Sequence, residues 1–287
     1  MSELEKYTVE SLLEEIVTLP SLPATVQKII SMLNDPKTRL SDLSHLISLD
    51  PSISFKLLRL VNSAYYGLGQ KVTSIEHAVV LLGIKVVKNL VLTATIFNQM
   101  GDKSKDLVLH SIATGIAMDA IVTVGPLNVY YAKGDTAFVF GLVHDIGKVI
   151  LGEFLSKHWE CVCRLAMEGE KGTWVALEQR VIGVDHAEIG GKIAQEWKLS
   201  EELCEAVRWH HEPWNAGSDI TRTLSASLCV ADYIAKASGL FAYPHTLYPL
   251  EPEVWELAGL KNKAIVEALN IYFDKNSYIE ELVELTK

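Results

Sequence analysis

The sequence is poor in the features that would mark a secreted, membrane-spanning or broadly nucleic-acid-binding chain. It has four cysteines in 287 residues, Cys161, Cys163, Cys204 and Cys229, and no CxxC pair. That excludes a disulfide framework and a thiolate zinc cluster, leaving four reduced thiols. Basic residues are in deficit: 26 Lys and Arg stand against 36 Asp and Glu, a formal charge of −10. Such a balance argues against nucleic-acid and anionic-membrane partners. The deficit is local. Residues 1–100 hold nine acids and nine bases, so the whole imbalance falls in 101–287. The start, Met1-Ser-Glu-Leu-Glu-Lys, lacks the basic and apolar regions of a signal peptide, and a cytoplasmic chain is expected. The greasiest window, Ala78 to Phe97, carries Lys85, Lys88 and Asn89. Two central lysines are costly in lipid, so this window reads as a buried helix pair divided at Gly83. Strand-type alternation and low-complexity tracts are also missing.

What remains is helical periodicity. Val26, Ile29, Ile30 and Leu33 recur at helical spacing, as do Ile53, Leu57, Leu58 and Val61. Asp50 can cap a helix that Pro51 opens. Ser104 opens a long apolar helix to about Thr123. Asp135 can cap one running through Val149, and Ser200 another. Ile265, Leu269 and Tyr272 form a stripe that either packs on the core or makes a homodimer. The pattern predicts an all-α fold. A composition break at 99–104 divides it into helical subdomains over 1–100 and 101–287.

The chemistry sits in the acidic part. Asp106 precedes His110 by four residues; His144-Asp145 is followed by Lys148; then come Asp185-His186, His210-His211 and Asp232. Five of the nine histidines belong to this series. Each piece has a plain structural reading: a core histidine bonded to Asp106, a capped His-Asp pair, a helix end at His210-His211, a surface partner for Lys148. Their order is what points to metal. Imidazole and carboxylate donors without thiolates suit iron or manganese, with zinc or nickel as alternatives. Asp106, His110, His144, Asp145, His186, His210, His211 and Asp232 exceed what one ion needs. Two divalent ions would use them, an arrangement suited to phosphate-ester hydrolysis.

The series resembles the HD superfamily of metal-dependent phosphohydrolases, and within it the HDOD domain, an all-helical bacterial signalling module. The likeness runs from Leu19 to Asp232. It includes Leu19-Pro-Ser-Leu-Pro23, Leu49-Asp-Pro-Ser-Ile53, Lys56-Leu-Leu-Arg-Leu-Val-Asn-Ser-Ala64, Ser74 to Gly83, Phe140 to Lys148, and Gly183-Val-Asp-His-Ala-Glu-Ile-Gly190. HDOD domains typically lack much of the metal set, which this chain keeps. His144-Asp-Ile-Gly-Lys148 and the later histidines are similar to the HD-GYP phosphodiesterases. In those enzymes the carboxylate at the place of Asp106 can be a ligand. The Gly-Tyr-Pro signature itself is absent: Glu-Pro-Trp-Asn-Ala-Gly-Ser follows His211. The resemblance implies an HD-superfamily helical bundle with an N-terminal helical subdomain, acting as a signal-transduction module with a dinuclear metal site. Its partner would be a signalling protein or a phosphate-containing small molecule. The alternative is a metal-dependent phosphohydrolase or phosphodiesterase acting on a nucleotide or cyclic dinucleotide. Asp145 and Lys148 would then be catalytic.

Overall fold

Helix starts follow the caps that the sequence offers. In this computed structural model the described residues are 5–15, 24–35, 37–83, 87, 91, 105–131, 136–170, 172–243 and 247–284. The first helices are α1 (Val9–Glu15), α2 (Ala24–Asn34), α3 (Leu40–Ser48) and α4 (Pro51–Val61). The Asp50 carboxylate accepts from the Ile53 amide, and Pro51 fills the first position of α4. At the other end of α4, Asn62 donates to the Leu58 and Val72 carbonyls and accepts from the Val72 amide. This knot turns the chain into a helical stretch over 75–83, where Gly83 has φ +81°. The second helix expected after Gly83, the 99–104 boundary, Ser104 and Asp135 lie outside the described residues.

The second part is built around α5 (Lys105–Val124), buried nearly all round. It is followed by α6 (Asn128–Tyr131), α7 (Thr136–Val143), α8 (Ile146–Phe154), α9 (Ser156–Met167) and α10 (Trp174–Val181). Next come α11 (His186–Glu196), α12 (Glu201–Trp209), a 3-10 turn over Pro213–Asn215, and α13 (Asp219–Ala237). The chain ends in α14 (Pro252–Leu257), α15 (Asn262–Lys275) and α16 (Tyr278–Glu284). Every regular element among the described residues is helical, as the periodicity predicts. Helices α7, α13, α15 and α16 all pack on α5. By length and composition α5 could cross a membrane, yet 78% of its apolar window is buried inside the protein. It is a core helix. The Ile265–Leu269–Tyr272 stripe packs against it, with Tyr272 fully buried.

One expectation changes here. The helix expected to run through Val149 breaks after Val143, and α8 starts at Ile146. His144 and Asp145 occupy the turn between, which frees both side chains to point inward.

The two parts meet at several points. The Tyr7 amide donates to the Ile182 carbonyl at 2.7 Å, and His158 Nε2 lies 2.8 Å from the Glu5 carbonyl oxygen. Residues 5–7 therefore sit on the second part, although they precede the 99–104 break. Tyr65 packs on Phe138, and Lys275 bonds Asp119 while lying over the Tyr65 ring.

Candidate metal centre

Close backbone approaches bring the ligand-bearing elements together. A side chain at Gly141 would run into the main chain of α5 at Thr114 and Gly115. One at Gly147 would run into the His186 carbonyl. The missing Cβ atoms let α7 lie on α5 and α8 lie on α11, so that His110, His144, Asp145 and His186 face one centre. The Asp185 carboxylate accepts from the Ala187 and Glu188 amides, in a capping box that starts α11. Asp185 thus places His186 and is not itself in the cluster. The end of α12 delivers His210 and His211, and α13 delivers Asp232.

The side chains form two groups. His110, His144 and Asp145 converge in one, and His186, His210 and His211 in the other. In the first, His110 Nε2 lies 3.3 Å from His144 Nε2, 3.5 Å from Asp145 Oδ2 and 3.0 Å from Asp232 Oδ1. In the second, His186 Nε2 lies 3.0 Å from His211 Nε2. Asp145 faces both: Oδ2 is 3.4 Å from His144 Nε2, and Oδ1 is 3.2 Å from His186 Nε2. Donors about 2.1 Å from a common ion lie about 3.0–3.4 Å from each other in octahedral or tetrahedral geometry, close to these spacings.

The outward nitrogens are anchored. Nδ1 of His110 meets the Leu240 carbonyl at 2.8 Å, that of His144 the Gly141 carbonyl at 2.6 Å, and that of His210 the Val207 carbonyl at 2.6 Å. His186 Nδ1 meets a carboxylate instead, Glu178 Oε2, at 2.6 Å. These bonds aim Nε2 inward in each case. The carboxylates are anchored by lysines: Lys148 donates to Asp145 Oδ2 at 2.7 Å, and Lys236 to Asp232 Oδ2 at 2.6 Å.

Charge and burial oppose each other. Burial holds His210 and His211 well below the usual histidine range, so both stay neutral and keep a free lone pair. Burial also lowers His110, despite the Asp232 carboxylate. For His144 burial is outweighed by the Asp145 and Asp232 charges, which push it up to about 9. For His186 the Glu178 charge outweighs burial. Asp145 and Asp232 are held well below the usual carboxylate range: although burial would raise both, His144 and Lys148 act on the first and Lys236 on the second. Six buried side-chain atoms among the described residues nevertheless find no aligned hydrogen-bond partner: three are the hydroxyls of Ser111, Ser225 and Ser227, and the other three are Asp145 Oδ1, Asp232 Oδ1 and His210 Nε2. The carboxylate and imidazole atoms of this set all belong to ligand-type side chains of one cluster. Orphaned donors of this kind, in a set of five imidazoles and two carboxylates, fit divalent metal.

Asp106 is not brought in. It lies on the exposed face of the first turn of α5, while His110 is fully buried one turn later. Lys148 bonds Asp145; the helix break leaves His144 in the turn and Lys148 on α8, so the two do not share one helix face. Trp214 is 38% exposed, and Trp209 lies beneath the Arg208 guanidinium. The rings near the centre are Trp174, over which Lys148 lies at 5.8 Å, and its neighbours Trp159 and Tyr243. All four cysteines are free.

Sequence reasoning missed Glu178, Lys236 and the Leu240 carbonyl. Glu178 has a readable signal: it interrupts the apolar stripe Trp174, Leu177, Val181. Lys236 follows Asp232 by four residues on one helix face. Leu240 gives no signal, since its contact with His110 spans 130 residues.

Comparison with known proteins gives the HDOD domain family, matched over residues 19–213. An uncharacterized protein of Treponema pallidum (strain Nichols) is 30% identical over 211 residues; the match covers 70% of this chain and 39% of that protein. The chain thus spans about two fifths of that relative's length. An HDOD domain protein of unknown function from Geobacter sulfurreducens superposes with TM-score 0.76 at 21% identity, covering 97% of this chain and 95% of that one. A Shewanella amazonensis protein described as a candidate phosphohydrolase gives 0.75 at 21%, covering 96% and 98%. A candidate signal transduction protein from Marinobacter aquaeolei gives 0.76 at 20%, covering 96% and 61%. At these identities the structural likeness concerns the fold.

Proposed function

The chain belongs to the HDOD domain family, and on that premise we propose that it is a cytoplasmic signal-transduction module built around a centre for two divalent ions. His110, His144, Asp145 and Asp232 would hold one ion. His186, His210 and His211 would hold the other, with Asp145 shared. The observation that carries this reading is the set of orphaned atoms, Asp145 Oδ1, Asp232 Oδ1 and His210 Nε2, buried without aligned partners. A buried carboxylate oxygen or imidazole nitrogen left unpaired costs about 1–3 kcal/mol, which a bound cation would offset.

Burial supports a regulatory role over open catalysis. His110, His144, His186 and His210 are fully buried and Asp145 is 1% exposed. Both nearby lysines are spent on carboxylates. The chain's own groups therefore hold the donor set from beneath the surface, with half-buried His211 reaching furthest outward. The output would be a signalling protein, or a phosphate-containing small molecule, that senses the occupied centre.

A second reading, metal-dependent hydrolysis of a nucleotide or cyclic dinucleotide, draws on Asp145, which faces both groups. Paired divalent ions supply Lewis-acid polarisation of a phosphate. In that reading Lys148 keeps Asp145 ionised and turned inward, and Asp145 orients both groups. Elemental analysis of the purified protein, beside a His144→Ala/Asp145→Ala double variant, tests the shared premise. Two equivalents of iron or manganese lost in the variant are expected, and equal metal in both proteins overturns it. A screen of phosphodiesters and nucleotides with the loaded protein then separates the readings. Turnover abolished by the double variant favours hydrolysis, whereas none favours the regulatory module.

A further inference from the structure

Among the four ligand histidines with anchored Nδ1 atoms, three use main-chain carbonyls and His186 uses a carboxylate. That carboxylate, Glu178, is fully buried on α10. It has three donors. Oε2 accepts from the His186 imidazole at 2.6 Å and from the His186 amide at 3.0 Å. Oε1 accepts from Trp174 Nε1 at 2.8 Å. The ring and main chain of His186 are thus held by one oxygen, so the imidazole cannot turn without breaking that grip. The indole bond fixes the second oxygen, and Trp174 is itself stacked on Tyr243.

The placement is one-sided. The His110 group has two carboxylates, Asp145 and Asp232. The His186 group has three neutral-type donors and only the far oxygen of Asp145. Glu178 supplies negative charge behind the poorer group. A carboxylate bonded to the outer nitrogen of a ligand imidazole raises the basicity of the inner one.

We propose that Glu178 is a positioning residue that sets the affinity of the His186–His210–His211 position for its ion, acting through the Nδ1 proton of His186. This rests on the two-ion reading above. Glu178→Gln keeps the side-chain shape and an acceptor oxygen while removing the charge, so a merely structural role would survive it in large part.

The test is cobalt(II) titration of metal-free wild type and Glu178→Gln, followed by visible absorption and calorimetry. Wild type is expected to take two ions. The variant is expected to bind one ion as wild type does and the other about 10–100-fold more weakly, with the second set of absorption bands displaced. Unchanged affinity for both ions overturns the Glu178 role alone. Equal weakening of both marks a folding effect and overturns it too. A wild type that takes fewer than two ions overturns the two-ion reading, and this proposal with it. A reading that needs no variant comes from the nitrogen spectrum of the zinc-loaded wild type. The His186 Nδ1 proton should resonate further downfield than those of His110, His144 and His210. A His186 signal no further downfield than theirs overturns the assignment.

Discussion

The described residues up to position 91 and the part from α5 onward are both built of helices, yet they bury opposite things. Among the described residues up to position 91, the buried polar side chains are Ser44 and Ser63. Each donates to a carbonyl three or four residues back, Ser44 within α3 and Ser63 just beyond the end of α4. From α5 to α13 the interior holds His110, His144, Asp145, Lys148, Glu178, His186, His210 and Asp232. Among its described residues the first region buries almost only apolar side chains and should tolerate swaps that conserve volume. In the second, each buried charge is offset by a named partner, and removing one strands another. The contrast accounts for only a small part of the charge asymmetry of the sequence. Part of the acidic excess after residue 100 is interior, tied to Lys148, Lys236 and the imidazoles.

This contrast can be broken by experiment. Asp145→Ala should lose both ions and, by leaving Lys148 buried without its partner, destabilise the metal-free chain by about 3–5 kcal/mol. Metal analysis and urea unfolding read both effects. Wild-type stability in the chelated variant would mean that the interior charges are not coupled. Leu57→Ala, in the apolar core of α4, should cost about 2–4 kcal/mol in urea while the metal content of the folded protein stays at the wild-type level. Metal loss in that variant would erase the distinction between the regions. Asp50→Ala removes the α4 cap and should cost about 1 kcal/mol, again with metal retained. Asp106→Ala is expected to be the mildest. It should shift stability by less than about 0.5 kcal/mol and leave both ions in place, because its side chain is exposed. One lost equivalent of metal would return Asp106 to the ligand set.

Much of this was legible in the sequence. Asp50-Pro51 and Ser200 announced helix starts, and the order of histidines and aspartates announced a cluster. What failed did so for physical reasons. The break at His144-Asp145 was hidden because the run from Ala137 to Leu151 is apolar apart from His144, Asp145 and Lys148 and holds no proline. Asp106 shares a helical face with His110 by spacing. It lies in the opening turn of α5, however, where its side chain stays exposed. Glu178 was readable only as an interruption of an apolar stripe, and its meaning depends on α10 packing beside the start of α11.

Gly147 has one more consequence. The first turn of α8, just after the His-Asp turn, and the first residue of α11 touch main chain to main chain, with a single hydrogen atom of Gly147 facing the His186 carbonyl. The distance between the two ligand groups is therefore gauged by backbone thickness, not by side chains that can shift rotamer. A methyl group at position 147 would act as a shim. It would widen the gap that Asp145 bridges and detune both positions together, while every ligand remained in the sequence.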